Sequence, residues 1–332
     1  MGWKMKITIK EVARLAGVSV TTVSQILNQK GGRFSEATKE RVLKVIEEQQ
    51  YSPNYFASNI IAKKSKTIGV IVPDFAEQFA SAIVRQIRDQ LEKKGYYLII
   101  CESSHDFLKE QELLSQLARI AVEGIFLFTP NDYSGKKIIE HGRFQEIPVV
   151  FADRGLNKGF YGTVKLDEYS GVYRAIEWLI AEGHQKIGLI MDNGEHYHLA
   201  ERFEAYQQAL SDHELLIEEK YIKYMPLTIT GGYQGATDLL KETEVSAIFC
   251  CDDMLAIGCY QAVYDSGKKM NQDITIIGFD GGEVTQIVRP QIKSVRQPYQ
   301  ELGKAYAEKI QMAIDQPERR MDDRLFHVIF EP

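Results

Sequence analysis

From residue 67 onward the chain repeats one device: a short, nearly continuous apolar run followed by a longer stretch with helical spacing. Ile68–Val72, Tyr97–Cys101, Gly124–Phe128 and Val149–Phe151 form one set of runs. Ile187–Met191, Tyr221–Tyr224, Ile248–Cys251 and Thr275–Ile277 form a second. A strand that is apolar on both faces must be covered on both, and parallel neighbours need a crossover, usually a helix. The pattern therefore predicts parallel sheets layered with helices. Two sets of strands predict two lobes.

The first 66 residues follow a different rule. After Thr8, residues Ile9, Val12, Ala13 and Ala16 have the i, i+3, i+4, i+7 spacing of an amphipathic helix, and Gly17 breaks it. Ser19 can cap a second helix with Val23 and Leu27 on its inner face. A third helix is predicted from Ser35 to Gln50, with Val42, Leu43 and Ile46 inward. Two short helices across a glycine-bearing turn make a helix-turn-helix, and the small Ala13 and Ala16 allow close approach. Charge sharpens the reading. Residues 1–66 carry 12 Lys and Arg against 5 Glu, a surplus of seven, whereas the rest of the chain carries 28 basic and 41 acidic residues. A basic headpiece on an acidic body suits a polyanionic partner met only by the N-terminal part.

The run TIKEVARLAGVSVTTVSQILN, Thr8 to Asn28, resembles the headpiece of LacI/GalR-family repressors, and YSPNYFASNI, Tyr51 to Ile60, resembles the hinge of that family. The resemblance implies a DNA-binding repressor that is not an enzyme. Its recognition helix would present Val20, Thr21 and Gln25 to base edges, with Thr22 and Ser24 on phosphates. Thr8, Ser19 and Asn28 complete the expected DNA-contacting set of the headpiece. Gln25 stands where Arg is frequent, and Gln pairs with adenine N6 and N7 where Arg suits guanine. In the hinge, Pro53 ends the third helix and Asn54 can cap the next. Asn54 and Ala57 would meet DNA, and Ile60 holds the position of a minor-groove wedge.

The same resemblance implies, for the body, a two-lobed type I fold like that of periplasmic binding proteins. The chain would cross between lobes near Asp153, near Gly282–Arg289 and near Asp315. A headpiece over 1–52, a hinge over 53–66 and an effector domain over 67–332 are expected. The first lobe would comprise about 67–152 and 283–314, and the second about 153–282 and 315–332. Ligands of open α/β sheets gather at the carboxyl ends of strands, here between the lobes. Asp74 and Phe79 follow the first strand, Asp153 and Arg154 the fourth; Asp252 and Asp253 end one strand and Asp280 another, while Arg202 opens a second-lobe helix. Carboxylates accept from adjacent hydroxyls, guanidinium offers a planar fork, and an aromatic face packs a sugar ring. The resemblance puts Arg202, Asp252 and Asp280 on the effector, with Phe79 stacking and Arg154 in support. Each also has a structural role open to it: Asp252 as a helix cap, Phe79 as core.

The stretches TTVSQILN and RFSEATKERVL are similar to those of ribose-operon-type repressors, which implies a sugar effector with ribose as a candidate; a purine or other corepressor stays open. No leucine-heptad tail is present, so a homodimer is expected rather than a tetramer. Pro73-Asp74-Phe75 lacks the Gly-rich turn of a dinucleotide site, no P-loop occurs, and His196 and His198 at i, i+2 are weak as a metal pair, so neither cofactor nor metal is expected. Met1–Lys10 lacks the apolar core of a secretory signal, and the four cysteines form no C-x-x-C pair, which together suggest the cytoplasm.

Overall fold

The computed structural model describes residues 7–27, 34–51, 65–75, 77–129, 131, 133, 147–152, 161–192 and 197–332. It divides into two units, 1–65 and 66–332.

The first unit is helical: α1 (Ile9–Ala16), α2 (Val20–Leu27) and α3 (Glu36–Glu48). Val12, Ala13, Ala16, Val23, Ile26 and Val42 form its core. The phase of two helices differs from the expected one. Ile26, three residues past Val23, is buried, with Leu27 only partly so, and Leu43 is exposed while Val45 and Ile46 pack at the core's edge. Helix α3 lies on its neighbours along the 42–45–46 stripe, which turns residue 43 about 100° away.

The second unit carries the layered parallel pattern. Strands β1 (Thr67–Val72), β2 (Tyr97–Glu102), β3 (Gly124–Leu127) and β4 (Val149–Phe151) form a four-stranded sheet in the order β2-β1-β3-β4. Helices α4 (Gln78–Glu92) and α5 (Phe107–Arg119) follow β1 and β2. Then come β5 (Val164–Asp167), α6 (Glu168–Ala181), β6 (Ile187–Met191), α7 (Tyr197–Asp212), β7 (Ile222–Tyr224), α8 (Ile229–Glu242), β8 (Ala247–Cys250), α9 (Asp253–Asp265), β9 (Thr275–Asp280), a one-turn α10 (Val284–Ile287) and β10 (Lys293–Arg296). The second sheet runs β10-β9-β8-β6-β7, and every pairing in both sheets is parallel.

Helix α11 (Tyr299–Asp315) returns to the first lobe, where Leu302, Ala305, Tyr306 and Ile310 enter the core with Ile83, Ile87 and Phe126. The strand after it, β11 (Arg324–His327), pairs with β5 as a separate two-stranded sheet, and Val328 just beyond enters the second-lobe core. One expected crossing moves. Residues 282–289 do not leave the second lobe, because β10 pairs with β9 from Lys293↔Ile277 to Arg296↔Asp280. The chain departs after Arg296. Lys309, buried on α11, donates from Nζ to the carbonyls of Tyr161 and Asp322 at 2.9 and 2.8 Å. One ammonium thus ties down both segments that lead into the β5–β11 pair.

Candidate functional site

In the headpiece, local chemistry sets the helix-turn-helix. Thr8 precedes α1, and its backbone N–H and hydroxyl both donate to Glu11 Oε2, at 2.8 and 3.0 Å. Those bonds hold the Glu11 carboxyl below its usual range. Gly17 ends α1 at φ +65°, in the left-handed region that glycine enters without penalty. Arg41 on α3 donates from Nε to the Ala16 carbonyl at 2.9 Å, so α3 caps the end of α1. Ser19 starts α2: its Oγ accepts the Thr22 N–H at 3.1 Å and lies 2.9 Å from Thr22 Oγ1.

This leaves Ser19, Val20 and Thr21 exposed at the N-terminal end of α2, with Thr22, Ser24 and Gln25 partly exposed along the same helix. Thr8 is exposed as well. Asn28, Asn54, Ala57 and Ile60 lie outside the described residues.

In the body, the charged residues converge at the carboxyl ends of β8 and β9. Arg202, in the second turn of α7 rather than at its start, is 3% exposed. Its Nε donates to Glu168 Oε2 at 2.8 Å, its Nη1 to the Cys251 carbonyl, and its guanidinium carbon sits 3.5 Å from the Phe279 ring centroid. Burial alone would lower its pKa; the carboxylates of Glu168 and Asp280 outweigh burial and raise it. The remaining nitrogen, Nη2, is buried with no hydrogen-bond partner among the described residues. A buried guanidinium with an unspent donor is costly unless something supplies an acceptor.

Asp280 ends β9 and is 6% exposed; its Oδ1 accepts from Gln297 Nε2 at 2.6 Å. Its φ of +110° lies outside the regions an L side chain prefers, a strain of about 1–3 kcal/mol of the kind found at ligand sites. Gln297 is 5% exposed, and its Oε1 is likewise buried without a partner. Asp252 caps α9 by accepting the Leu255 N–H at 2.7 Å and remains partly exposed; burial pushes its carboxyl up to about 6. Asp253 is fully buried, accepting from Gly282 N–H and Ser294 Oγ, each at 2.6 Å. It fastens the turn after β9 and the strand β10 to α9. Burial, and then the charge of Asp280, raise its carboxyl well above the usual range.

The first lobe contributes from the end of β1. Asp74 is partly exposed. Phe79 is buried in the first-lobe core, its ring centroid 6.2 Å from that of Tyr299, so packing is the role its position gives it. The exposed aromatic at that strand end is Phe75. Gln78 touches the second lobe: a Cβ on Gly282 would lie 2.1 Å from its Nε2. Asp153, Arg154 and His196 lie outside the described residues, as does the side chain of His198.

The structure thus brings Arg202, Asp252 and Asp280 together and joins to them three residues not foreseen from sequence: Glu168, Gln297 and the Cys251 carbonyl. Glu168 lies 34 positions from Arg202, and no local pattern links them. Among the described residues no group of three or more potential ligands could hold a metal ion, and no helix is long and apolar enough to cross a membrane.

A helix-turn-helix unit followed by a parallel α/β body with a polar, partly unsatisfied site at its strand ends is the makeup of a ligand-responsive DNA-binding regulator. Residues 8–54 match the family described as bacterial regulatory proteins, lacI family, and residues 176–329 match the periplasmic binding protein-like domain. The chain is 30% identical to the transcriptional regulator DegA of Bacillus subtilis, over 90% of this chain and 89% of the relative. It is 30% identical to the ribose operon repressor of Haemophilus influenzae, over 93% and 92%. A LacI family regulator from Enterococcus faecium, solved with bound ribose, is 28% identical and superposes with a TM-score of 0.71 over 80% of this chain and 97% of that one. The lac repressor dimer on operator superposes with a TM-score of 0.80 over 98% of both chains at 22% identity, a likeness of fold. This chain belongs to the lacI family of bacterial regulatory proteins. It is a DNA-binding transcriptional regulator with a ligand-binding body, not an enzyme.

Proposed function

We propose that the protein represses a carbohydrate-utilisation operon from the cytoplasm, binding a palindromic operator as a homodimer and leaving it when a small sugar enters the body. The observation that carries the effector half is that a buried donor, Arg202 Nη2, and a buried acceptor, Gln297 Oε1, both lack a hydrogen-bond partner among the described residues, with Asp280 acting on the first and bonded to the side chain of the second. Hydroxyl groups both donate and accept, so a polyol satisfies such a set. Relatives support the sugar: one is named a ribose operon repressor, and two enterococcal neighbours hold ribose. A purine corepressor is the second reading, favoured by 31% identity to a repressor named PurR of Haemophilus influenzae.

On DNA, the exposed Val20 and Thr21 with Gln25 would read bases, and Thr8, Ser19, Thr22, Ser24 and Asn28 would fix the helix on the backbone. The division into a headpiece over 1–52, a hinge over 53–66 and an effector domain over 67–332 goes with this reading. So do Asn54, Ala57 and the wedge at Ile60. In the effector site, Arg154 and Asp74 would join Arg202, Asp252 and Asp280, with Phe75 in place of Phe79 as the stacking ring. A twofold protein matches a palindromic site. The exposed Tyr97 and Ile100 on the edge strand β2, and Tyr264 and Ile287 on the second lobe, offer apolar surface for a second copy.

A thermal-shift screen of sugars, sugar phosphates and purines tests the reading, because a ligand of the native state raises its melting temperature. The hit is then added to a gel shift on operator DNA. A sugar that releases the DNA is the expected result. A purine hit, or tighter DNA binding with ligand, replaces the inducer reading by the corepressor one.

A further inference from the structure

The charge at the strand ends of the second lobe selects among ligands that share the same hydroxyls. Arg202 is engaged by Glu168 through Nε and by the Cys251 carbonyl through Nη1, which leaves the N–H groups of Nη2 to give. Asp252 and Asp280 stand close enough to act on it, and Asp253 stands close enough to act on both of them. Four acidic side chains, Glu168, Asp252, Asp253 and Asp280, thus gather at these strand ends against the single guanidinium of Arg202, which Glu168 already engages at 2.8 Å. An anion brought here meets more acid than base. Asp253 is buried and held by Gly282 and Ser294, but Asp252 spends Oδ1 on the cap of α9 and stays partly exposed, within reach of a ligand at these strand ends. Arg202 Nη2 and Gln297 Oε1, buried and without a hydrogen-bond partner among the described residues, ask for an acceptor and a donor, which a hydroxyl supplies; the phosphorylated form of a polyol keeps hydroxyls, so only its charge sets it apart.

We propose that the site takes an uncharged polyol and rejects the phosphorylated form of the same molecule, with Asp252 as the residue that discriminates. The proposal rests on the reading that the effector binds at these strand ends. It adds the ligand's charge class and the residue that sets it.

The test uses the full chain and matched pairs at pH 7.5: D-ribose and D-ribose 5-phosphate, D-glucose and D-glucose 6-phosphate, adenosine and adenosine 5′-monophosphate. Thermal shift finds the member that binds, and titration calorimetry measures both members of its pair. The uncharged member is expected to bind at least about tenfold more tightly, the scale of one like-charge contact in a partly solvated site. In Asp252→Asn that ratio falls to about threefold or less, through a gain for the phosphate. Asp252→Ser, which also keeps a capping side chain, is expected to do the same and guards against a folding defect peculiar to one variant.

A phosphate that binds the unmodified chain as tightly as its uncharged partner overturns the proposal. So does a ratio that stays the same in both variants. Asp280→Asn separates the two levels. If a phosphate binds as tightly as its uncharged partner and Asp280→Asn abolishes that binding, the site stands and the charge filter falls. If the best ligand binds Asp280→Asn undiminished, or if no member of any pair binds, the polyol site itself is wrong and the filter falls with it.

Discussion

Arg202 explains why this site is costly to build and sensitive to what enters it. A guanidinium at 3% exposure is tolerated because Glu168, itself buried, lies 2.8 Å away and the Cys251 carbonyl takes a second N–H. Such pairs often do no better than break even in stability, so this one is weak as a device for holding the fold. Asp252 is the other exceptional residue. Its pKa stands at about 6 in the folded chain against 3.8 for an ordinary aspartate, so the folded state holds the proton more tightly than the unfolded. The stability this group contributes is present below about pH 3.8 and is lost as pH rises through about 6. Unliganded Asp252→Asn should therefore be more stable than the unmodified chain at pH 7.5, by at most about 3 kcal/mol, with the difference vanishing towards pH 4. Urea unfolding at several pH values checks this; a constant difference across the range would refute it. Arg202, Asp252 and Asp280 were legible in the sequence through their likeness to the family's positions. Glu168 and Gln297 were not, since what makes them part of the site is their distance from Arg202 and Asp280 in space.

At the scale of elements, the site depends on how α9 is seated, because Asp252 and Asp253 ride on its first turn. Helices α8 and α9 meet backbone to backbone. A Cβ on Gly258 would lie 2.0 Å from the Ile229 carbonyl oxygen, and one on Gly232 would lie 2.1 Å from that of Leu255. Backbone cannot swing aside as a side chain can. Gly258→Ala is expected to cost about 1–3 kcal/mol or more, measured by urea unfolding, and to weaken ligand binding by shifting α9. A variant of unchanged stability would show that the helices can part without cost. The apolar strands β1, β6 and β8 announced themselves in the sequence. Strands β5 (VKLD) and β10 (KSVR) did not, since two of the four residues of β5 and three of the four of β10 are charged or polar. They are strands because a neighbour with open hydrogen bonds lies beside them.

For the molecule as a whole, the governing quantity is the split in charge. The surplus of seven positive charges in residues 1–66 sits against an excess of acid in the remainder. Neutralising phosphates releases counterions, so the logarithm of operator affinity should fall linearly with the logarithm of salt concentration, with a slope of several units. A flat dependence, measured by fluorescence anisotropy between low and physiological salt, would remove the headpiece from DNA binding. Under the proposed induction the coupling is also reciprocal: if the ligand weakens operator binding by some factor, operator weakens ligand binding by the same factor.

The sequence by itself determined the periodicities, and with them a helix-turn-helix ahead of a parallel α/β body, because burying an apolar stripe of a given period admits few structures. It also carried the caps at Thr8, Ser19 and Ser35 and the helix stop at Gly17, which act through neighbours three or four residues away. Tertiary structure alone decided that Leu43 faces out, that Phe79 is core, that β10 stays in the second sheet, and that Glu168 and Gln297 join the site. Those outcomes depend on contacts between residues far apart in the chain, and a periodicity can say which face of an element is buried but not what it is buried against.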